Sequence, residues 1–119
     1  MSKAKVYSEA EIVAKLAAEL PKWEFKEGMI RRTYKTAGWP WTMMLVNAIG
    51  FVAEAAFHHP DLSVSWAMVT VKLSTHSAKG VTDKDFELAR EIDRVALWQP
   101  GEGAALEGFE KGFKKKWVH

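Results

Sequence analysis

Apolar residues recur at helical spacing near the start of the chain. Ile12, Leu16 and Leu20 lie four apart, which places them on one face of a helix. Ser8 and Glu11 have the S-x-x-E spacing of a capping box, and Pro21 stops the run. The period then changes. In "WEFKEGMIRRTYKT" Trp23 and Phe25 alternate with charged residues, Gly28 supplies a turn, and Ile30 and Tyr34 lie beyond it. This predicts a β-hairpin. Pro40 suits the first turn of a second helix. Residues 41 to 57 are strongly apolar, with Met44, Ala48, Phe51 and Ala55 in one stripe, which predicts a buried amphipathic helix. Pro60 ends this helical pattern.

The next segment, "SVSWAMVTVKLST", is rich in β-branched and aromatic residues and reads as strand. Pattern alone admits one long strand or two short ones. A loop, "HSAKGV", leads to Thr82 and Asp85, a second capping box with Asp in place of Glu. Phe86, Ala89, Ile92 and Ala96 form the buried stripe of a third helix, ended by "QPGEG". In the remaining "AALEGFEKGFKKKWVH", Leu106, Phe109, Phe113 and Trp117 fall on one side of a short helix, which Gly108 and Gly112 weaken. They are expected to cover the third helix or a subunit contact. There is no internal repeat. The order α-ββ-α-β(β)-α plus a tail predicts an α+β fold with helices on one face of an antiparallel sheet.

Composition adds limits. A chain of 119 residues suits one domain, and 48% hydrophobic with 27% charged residues is an ordinary globular balance. Six tryptophans make the core aromatic-rich. A net charge of +2 is too small to imply a nucleic-acid partner. The absence of cysteine excludes disulfides, thiolate metal sites and a cysteine nucleophile, and fits a reducing compartment. "MSKAKVYSEAE" turns polar at once, unlike a signal peptide. The apolar run around residues 41 to 57 contains Asn47 and Glu54 and reads as core rather than membrane span. The expectation is a soluble cytoplasmic protein.

The candidate chemistry lies in "EAAFHHPDLSVSW". Two of the four histidines, His58 and His59, stand side by side before Pro60, and a third, His76, comes after the strand region. Capping at a helix C-terminus accounts for one histidine, not for two with a third nearby. His58, His59, His76 and Glu54 are suitable metal ligands. Adjacent helical residues point about 100° apart, however, which makes a shared ion unfavourable. Acid–base chemistry is the stronger reading, because imidazole titrates nearest neutral pH. Glu54, four residues before His58, would share its helix face and orient it. Asp85 has a competing role as a helix cap, and Trp66 as core.

Together these residues resemble the pterin-4a-carbinolamine dehydratase family. An acidic residue, three positions, His-His-Pro, an aromatic, a histidine and an aspartate match Glu54, His58-His59-Pro60, Trp66, His76 and Asp85, and "LSTH" and "GVTDKDFELA" are also similar. The resemblance covers roughly residues 7 to 98. It implies a two-layer α-β-β-α-β-β-α fold: a four-stranded antiparallel sheet with helices on one face, so that residues 62 to 75 form two strands. It implies homodimers or homotetramers built through sheet edges and helices.

The implied reaction is dehydration of 4a-hydroxytetrahydropterin to quinonoid dihydropterin, with His58 and His76 exchanging protons with the substrate and His59 binding or polarising the pterin. Glu54 and Asp85 would orient imidazoles or hold ring nitrogens, and Pro60 and Trp66 would contact substrate. Lys84, beside the motif aspartate and a departure from the family pattern, is either a basic residue that steers substrate or plain surface charge. No metal and no other cofactor is implied, in keeping with the lack of any glycine-rich nucleotide motif. Residues 1 to 100 would form the dehydratase-like domain, and residues 101 to 119 an extension packed on it. Two other functions compete: a non-catalytic assembly or transcriptional cofactor on the same scaffold, and a metal-dependent hydrolase. The physiological pterin and the hydroxylase it serves are not legible in the sequence.

Overall fold

The computed structural model describes residues 4–108 and 117–119. The first helix, α1 (Glu9–Glu19), starts where the capping motif places it: the Ser8 hydroxyl accepts from the Glu11 N–H, and the Glu11 carboxylate accepts from the Ser8 N–H. Next comes a hairpin, β1 (Glu24–Lys26) and β2 (Met29–Lys35). Its two-residue turn holds Glu27 at φ 54° and Gly28 at φ 78°. Two consecutive left-handed residues match the right-handed twist of a tight hairpin, and glycine takes the second position without strain. Helix α2 (Trp39–Ala56) carries Pro40 in its first turn. A second hairpin, β3 (Asp61–Ser65) and β4 (Met68–Leu73), shows that the long β-prone segment is two strands. A short 3-10 turn, His76–Ala78, leads to α3 (Asp83–Ala96).

The four strands form one antiparallel sheet in the order β1-β2-β4-β3. Period-2 alternation decides its two faces. Ile30 and Tyr34 of β2 and Val69, Val71 and Leu73 of β4 are completely buried, against Ile12 and Leu16 of α1, Leu45 and Ile49 of α2 and Phe86, Ala89 and Ile92 of α3. The intervening Arg31, Thr33, Lys35, Thr70 and Lys72 lie on the other, polar face. The predicted stripe of α3 is thus the buried one.

The stripe expected for α2 is not. Phe51 is 76% exposed and Met44 is 49% exposed, whereas Thr42, Leu45, Ile49 and Ala53 are buried. The helix is apolar on both sides, so hydrophobic spacing cannot choose between them. A hydroxyl decides it: Thr42 bonds the Thr36 hydroxyl at 2.7 Å and the Trp66 carbonyl at 2.9 Å. These bonds turn the Thr42 face inward, against the sheet end.

Near the other end of the sheet, Asp93 of α3 accepts bonds from Trp23 Nε1 at 3.0 Å, Arg32 Nη1 at 3.0 Å and the Tyr34 hydroxyl. One carboxylate therefore fastens α3 to β2 and to the residue preceding β1. Among the last residues, His119 and Lys35 exchange backbone hydrogen bonds, the Ala37 N–H donates to the Trp117 carbonyl, and Trp117 stacks on Trp41 at 5.0 Å. Leu106, expected to cover apolar surface, is exposed. Phe109 and Phe113 lie outside the described residues.

Burial, and then donation to Asp93, push the Tyr34 phenol above its ordinary value. Folding therefore favours the neutral phenol, and this stability is present below the unfolded phenol value of about 10 and is lost as pH rises beyond it. Tyr34→Phe is expected to cost about 1–2 kcal/mol at neutral pH. In denaturant titrations, the variant should also lose less stability than the parent between about pH 8 and about pH 11. Parallel losses in the two proteins would show that Tyr34 does not carry this dependence.

Candidate active site

The site begins where α2 ends. Phe57 adopts the left-handed conformation, φ 51° and ψ 45°. Its N–H donates to the Glu54 carbonyl, and the His58 N–H reaches back to the Ala53 carbonyl, both at 3.1 Å. This is the paired bonding of a Schellman motif, here without its usual glycine. The two histidines therefore leave the helix instead of ending it, and the expected Glu54–His58 pair on one helix face does not form. Glu54 Oε1 lies 2.7 Å from Nε2 of His59 instead, at the surface.

His58 turns inward. Its Nε2 is 2.6 Å from Oδ1 of Asp85, whose side chain is 0% exposed while that of His58 is 15% exposed. The second oxygen of Asp85 accepts from the Thr75 hydroxyl at 2.8 Å and from the Thr82 N–H at 2.9 Å. A buried carboxylate is very costly without such partners. Asp85 thus does both things proposed for it: Oδ2 closes the capping box of α3, and Oδ1 holds an imidazole.

His76, exposed, opens the short turn immediately after Thr75. Thr75 is joined to Gly80 by two backbone bonds across that turn. Strand β4, the turn carrying His76 and the start of α3 are therefore linked through Thr75 to the carboxylate that holds His58. Sequence patterns do not single out Thr75 and Thr82 as site residues. Their only signal there is a threonine directly before a histidine and another at a helix cap, each ordinary by itself.

Pro60, half-buried, directs the chain from His59 into β3. Lys84, exposed in the first turn of α3, shares with His58 a groove between α2 and α3 of about 780 Å³. Phe51, Ala55, Phe57 and Leu88 provide apolar walls. This size and lining suit a small planar ligand.

Trp66 is not part of this cluster. It sits on the β3–β4 turn, 67% exposed, with its ring over Gly38. A β-carbon on Gly38 would come within 3.3 Å of the Trp66 ring, and its φ of 139° also favours glycine. The histidines adjoin the opposite end of the same hairpin, about 15 Å away for a five-residue strand. Spacing along a hairpin does not reveal at which end a residue will stand.

Among the described residues, no three His, Asp or Glu side chains are arranged to hold one metal ion. Nor is any helix long and apolar enough to cross a membrane.

Comparison with known proteins gives the family and the fold. Residues 5–95 match the family model described as pterin 4 alpha carbinolamine dehydratase. A protein of Aquifex aeolicus named "Putative pterin-4-alpha-carbinolamine dehydratase" is 46% identical over 88 residues, covering 74% of this chain and 88% of that one. A relative of the same name from Roseiflexus castenholzii is 41% identical over 92 residues, covering 77% and 98%.

Among solved structures, a transcriptional coactivator/pterin dehydratase from Brucella melitensis superposes with a TM-score of 0.71 at 29% identity, over 77% of this chain and 99% of that one. A pterin dehydratase-like RuBisCO assembly factor of the alpha-carboxysome has a TM-score of 0.53 at 15% identity, over 70% and 89%, a likeness of fold alone. Matched by the family model over residues 5–95 and by relatives 46% and 41% identical, the chain belongs to the pterin-4a-carbinolamine dehydratase family.

Proposed function

We propose that this protein dehydrates a 4a-hydroxytetrahydropterin to the quinonoid dihydropterin. The observation that carries the reading is the His58–Asp85 pair beside an apolar groove, with His76 one residue from the threonine that holds the same carboxylate. The reaction needs an acid and a base acting on one small substrate. An acid protonates the 4a-hydroxyl, and the C4a–O bond breaks with its electron pair leaving on water. A base removes a proton from a ring nitrogen, and the nitrogen lone pair forms the new C=N bond to C4a. The protein regains its starting state when acid and base exchange protons with solvent.

Imidazoles are suited to both roles near neutral pH. We assign the two proton transfers to His58 and His76. We assign the polar pterin edge to His59, which pairs with Glu54 at the surface, and to Lys84 in the groove wall. The site residues supply this chemistry without a metal or another cofactor.

Turnover of synthetic 4a-hydroxytetrahydropterin tests the assignment. His58→Ala and His76→Ala are each expected to lose on the order of 10²–10⁴ in rate while remaining folded. The parent should keep its activity after exhaustive chelation. Near-parental turnover in both variants would remove the catalytic assignment. Activity lost on chelation and restored by zinc would favour a hydrolase-like metal site instead.

We also propose that copies associate through the outer face of α2, where Met44, Phe51 and Phe57 are exposed. Apolar surface of this kind, unusual on a monomer, commonly marks an interface. Sedimentation should show an oligomer that Phe51→Glu dissociates, without loss of helical circular dichroism. A monomeric parent would sink the proposal. The same face favours a second reading, a binding role toward another protein, which an inactive but well-folded parent would support.

Finally, we propose that residues 101–119 belong to the same folded unit, because His119 and Trp117 are bonded to the end of β2 and to α2. Deleting them is expected to lower the melting temperature by roughly 4 °C or more, with turnover per folded subunit unchanged. An unchanged melting temperature would make the segment an appendage.

A further inference from the structure

We infer that Thr75 is a positioning residue: its hydroxyl, with Thr82, locks Asp85 so that the neutral His58 ring carries its proton on Nε2 and presents a bare Nδ1 as the base. This deepens the dehydratase reading and rests on it for the role of the base, though not for the state of the ring. The inference comes from counting protons. An ionised carboxylate only accepts hydrogen bonds, a hydroxyl has one proton to give, and a neutral imidazole has one N–H.

Thr75 gives its proton to Asp85 Oδ2 at 2.8 Å. Its oxygen lies 2.8 Å from that of Thr82, so Thr82 must be the donor in that contact. The Thr82 oxygen in turn accepts from the Lys84 N–H at 3.3 Å. Oδ2 also receives the Thr82 N–H at 2.9 Å. Every proton on this side has one destination. What remains for Oδ1 is the contact of 2.6 Å with His58 Nε2, which an acceptor-only oxygen can make only with an N–H. The single proton of the neutral ring is then on Nε2, and Nδ1 is the nitrogen with a lone pair.

Thr75 is the member of this network whose hydroxyl caps no helix; besides donating to Asp85 it accepts from the Thr82 hydroxyl. It precedes the 3-10 turn but makes no side-chain cap bond to it. Thr82, in contrast, caps α3, so its removal would confuse positioning with helix stability. Thr75 is 4% exposed and does not face solvent, so its hydroxyl acts on the reaction through Asp85 and His58 rather than on the substrate.

The test compares Thr75→Val, which keeps the shape and removes the hydroxyl, with Thr75→Ser, which keeps the hydroxyl. Long-range ¹H–¹⁵N spectra of the full chain read the ring nitrogens of His58 directly. The parent and Thr75→Ser should show a single Nε2–H tautomer, and Thr75→Val a mixture. The kcat for dehydration should fall about tenfold or more in Thr75→Val, with little change in KM, and stay within a few-fold of the parent in Thr75→Ser.

A parent ring protonated on Nδ1 when neutral would overturn the proposal. So would a folded Thr75→Val with unchanged tautomer and kcat, or a Thr75→Ser that falls as far as the valine variant, which would make the effect one of packing. The parent tautomer is read without any substitution, so an unfolded valine variant does not shelter the idea. A parent that holds the Nε2–H tautomer but turns over no pterin would leave the lock standing and remove the proposed reaction.

Discussion

A buried carboxylate must be fully partnered, and at Asp85 that requirement organises the site. Asp85 is completely inaccessible to solvent, and its oxygens are met by an imidazole, a hydroxyl and a backbone N–H. Each donor comes from a different place in the chain: the exit of α2, the end of β4 and the N-cap of α3. Removing any one leaves part of a buried carboxylate unpartnered, at a cost of about 1–3 kcal/mol. The arrangement is therefore held in common by the helix cap, the sheet end and the histidine. A helix start that would otherwise be only structural also holds His58.

The way α2 ends separates the two histidines. Had the helix continued, His58 and His59 would have pointed about 100° apart around its axis. Instead Phe57 takes a left-handed backbone conformation, an uncommon one for a bulky residue. The chain turns, and His58 enters the interior while His59 remains outside with Glu54. Strain at such a position persists only where its surroundings over-determine it, and here the Schellman bonds and the His58–Asp85 contact do so. Two neighbouring imidazoles thereby acquire different environments, one held by a buried carboxylate and one at the surface.

The neighbours in structure show how far fold alone can be taken. A coactivator/dehydratase and a carboxysome assembly factor share this two-layer arrangement, so the sheet and three helices do not specify an activity. Function resides in particular sites and surfaces built on the fold. In this chain both are well developed: a partnered histidine beside a groove, and large apolar side chains exposed on the helix that borders it.

Local rules in the sequence determined much of this. Capping boxes at Ser8 and Thr82, the turn at Gly28, Pro40 in a first turn and the α3 stripe each depend on residues a few positions apart, and each was legible. Chemistry at the histidines, Glu54 and Asp85 was implied by the family resemblance. Tertiary structure decided which of them meet. Glu54 pairs with His59 rather than His58 because a left-handed residue intervenes, and helical periodicity contains no information about where a helix stops being one. Trp66 stands at the far end of its hairpin from the histidines. The buried side of α2 was chosen by Thr42 bonding to Thr36 and to the carbonyl of Trp66, when both sides were apolar enough. Thr75 became visible only once Asp85 was buried beside it, because a hydroxyl has no distinguishing pattern until a charge in its neighbourhood must be satisfied.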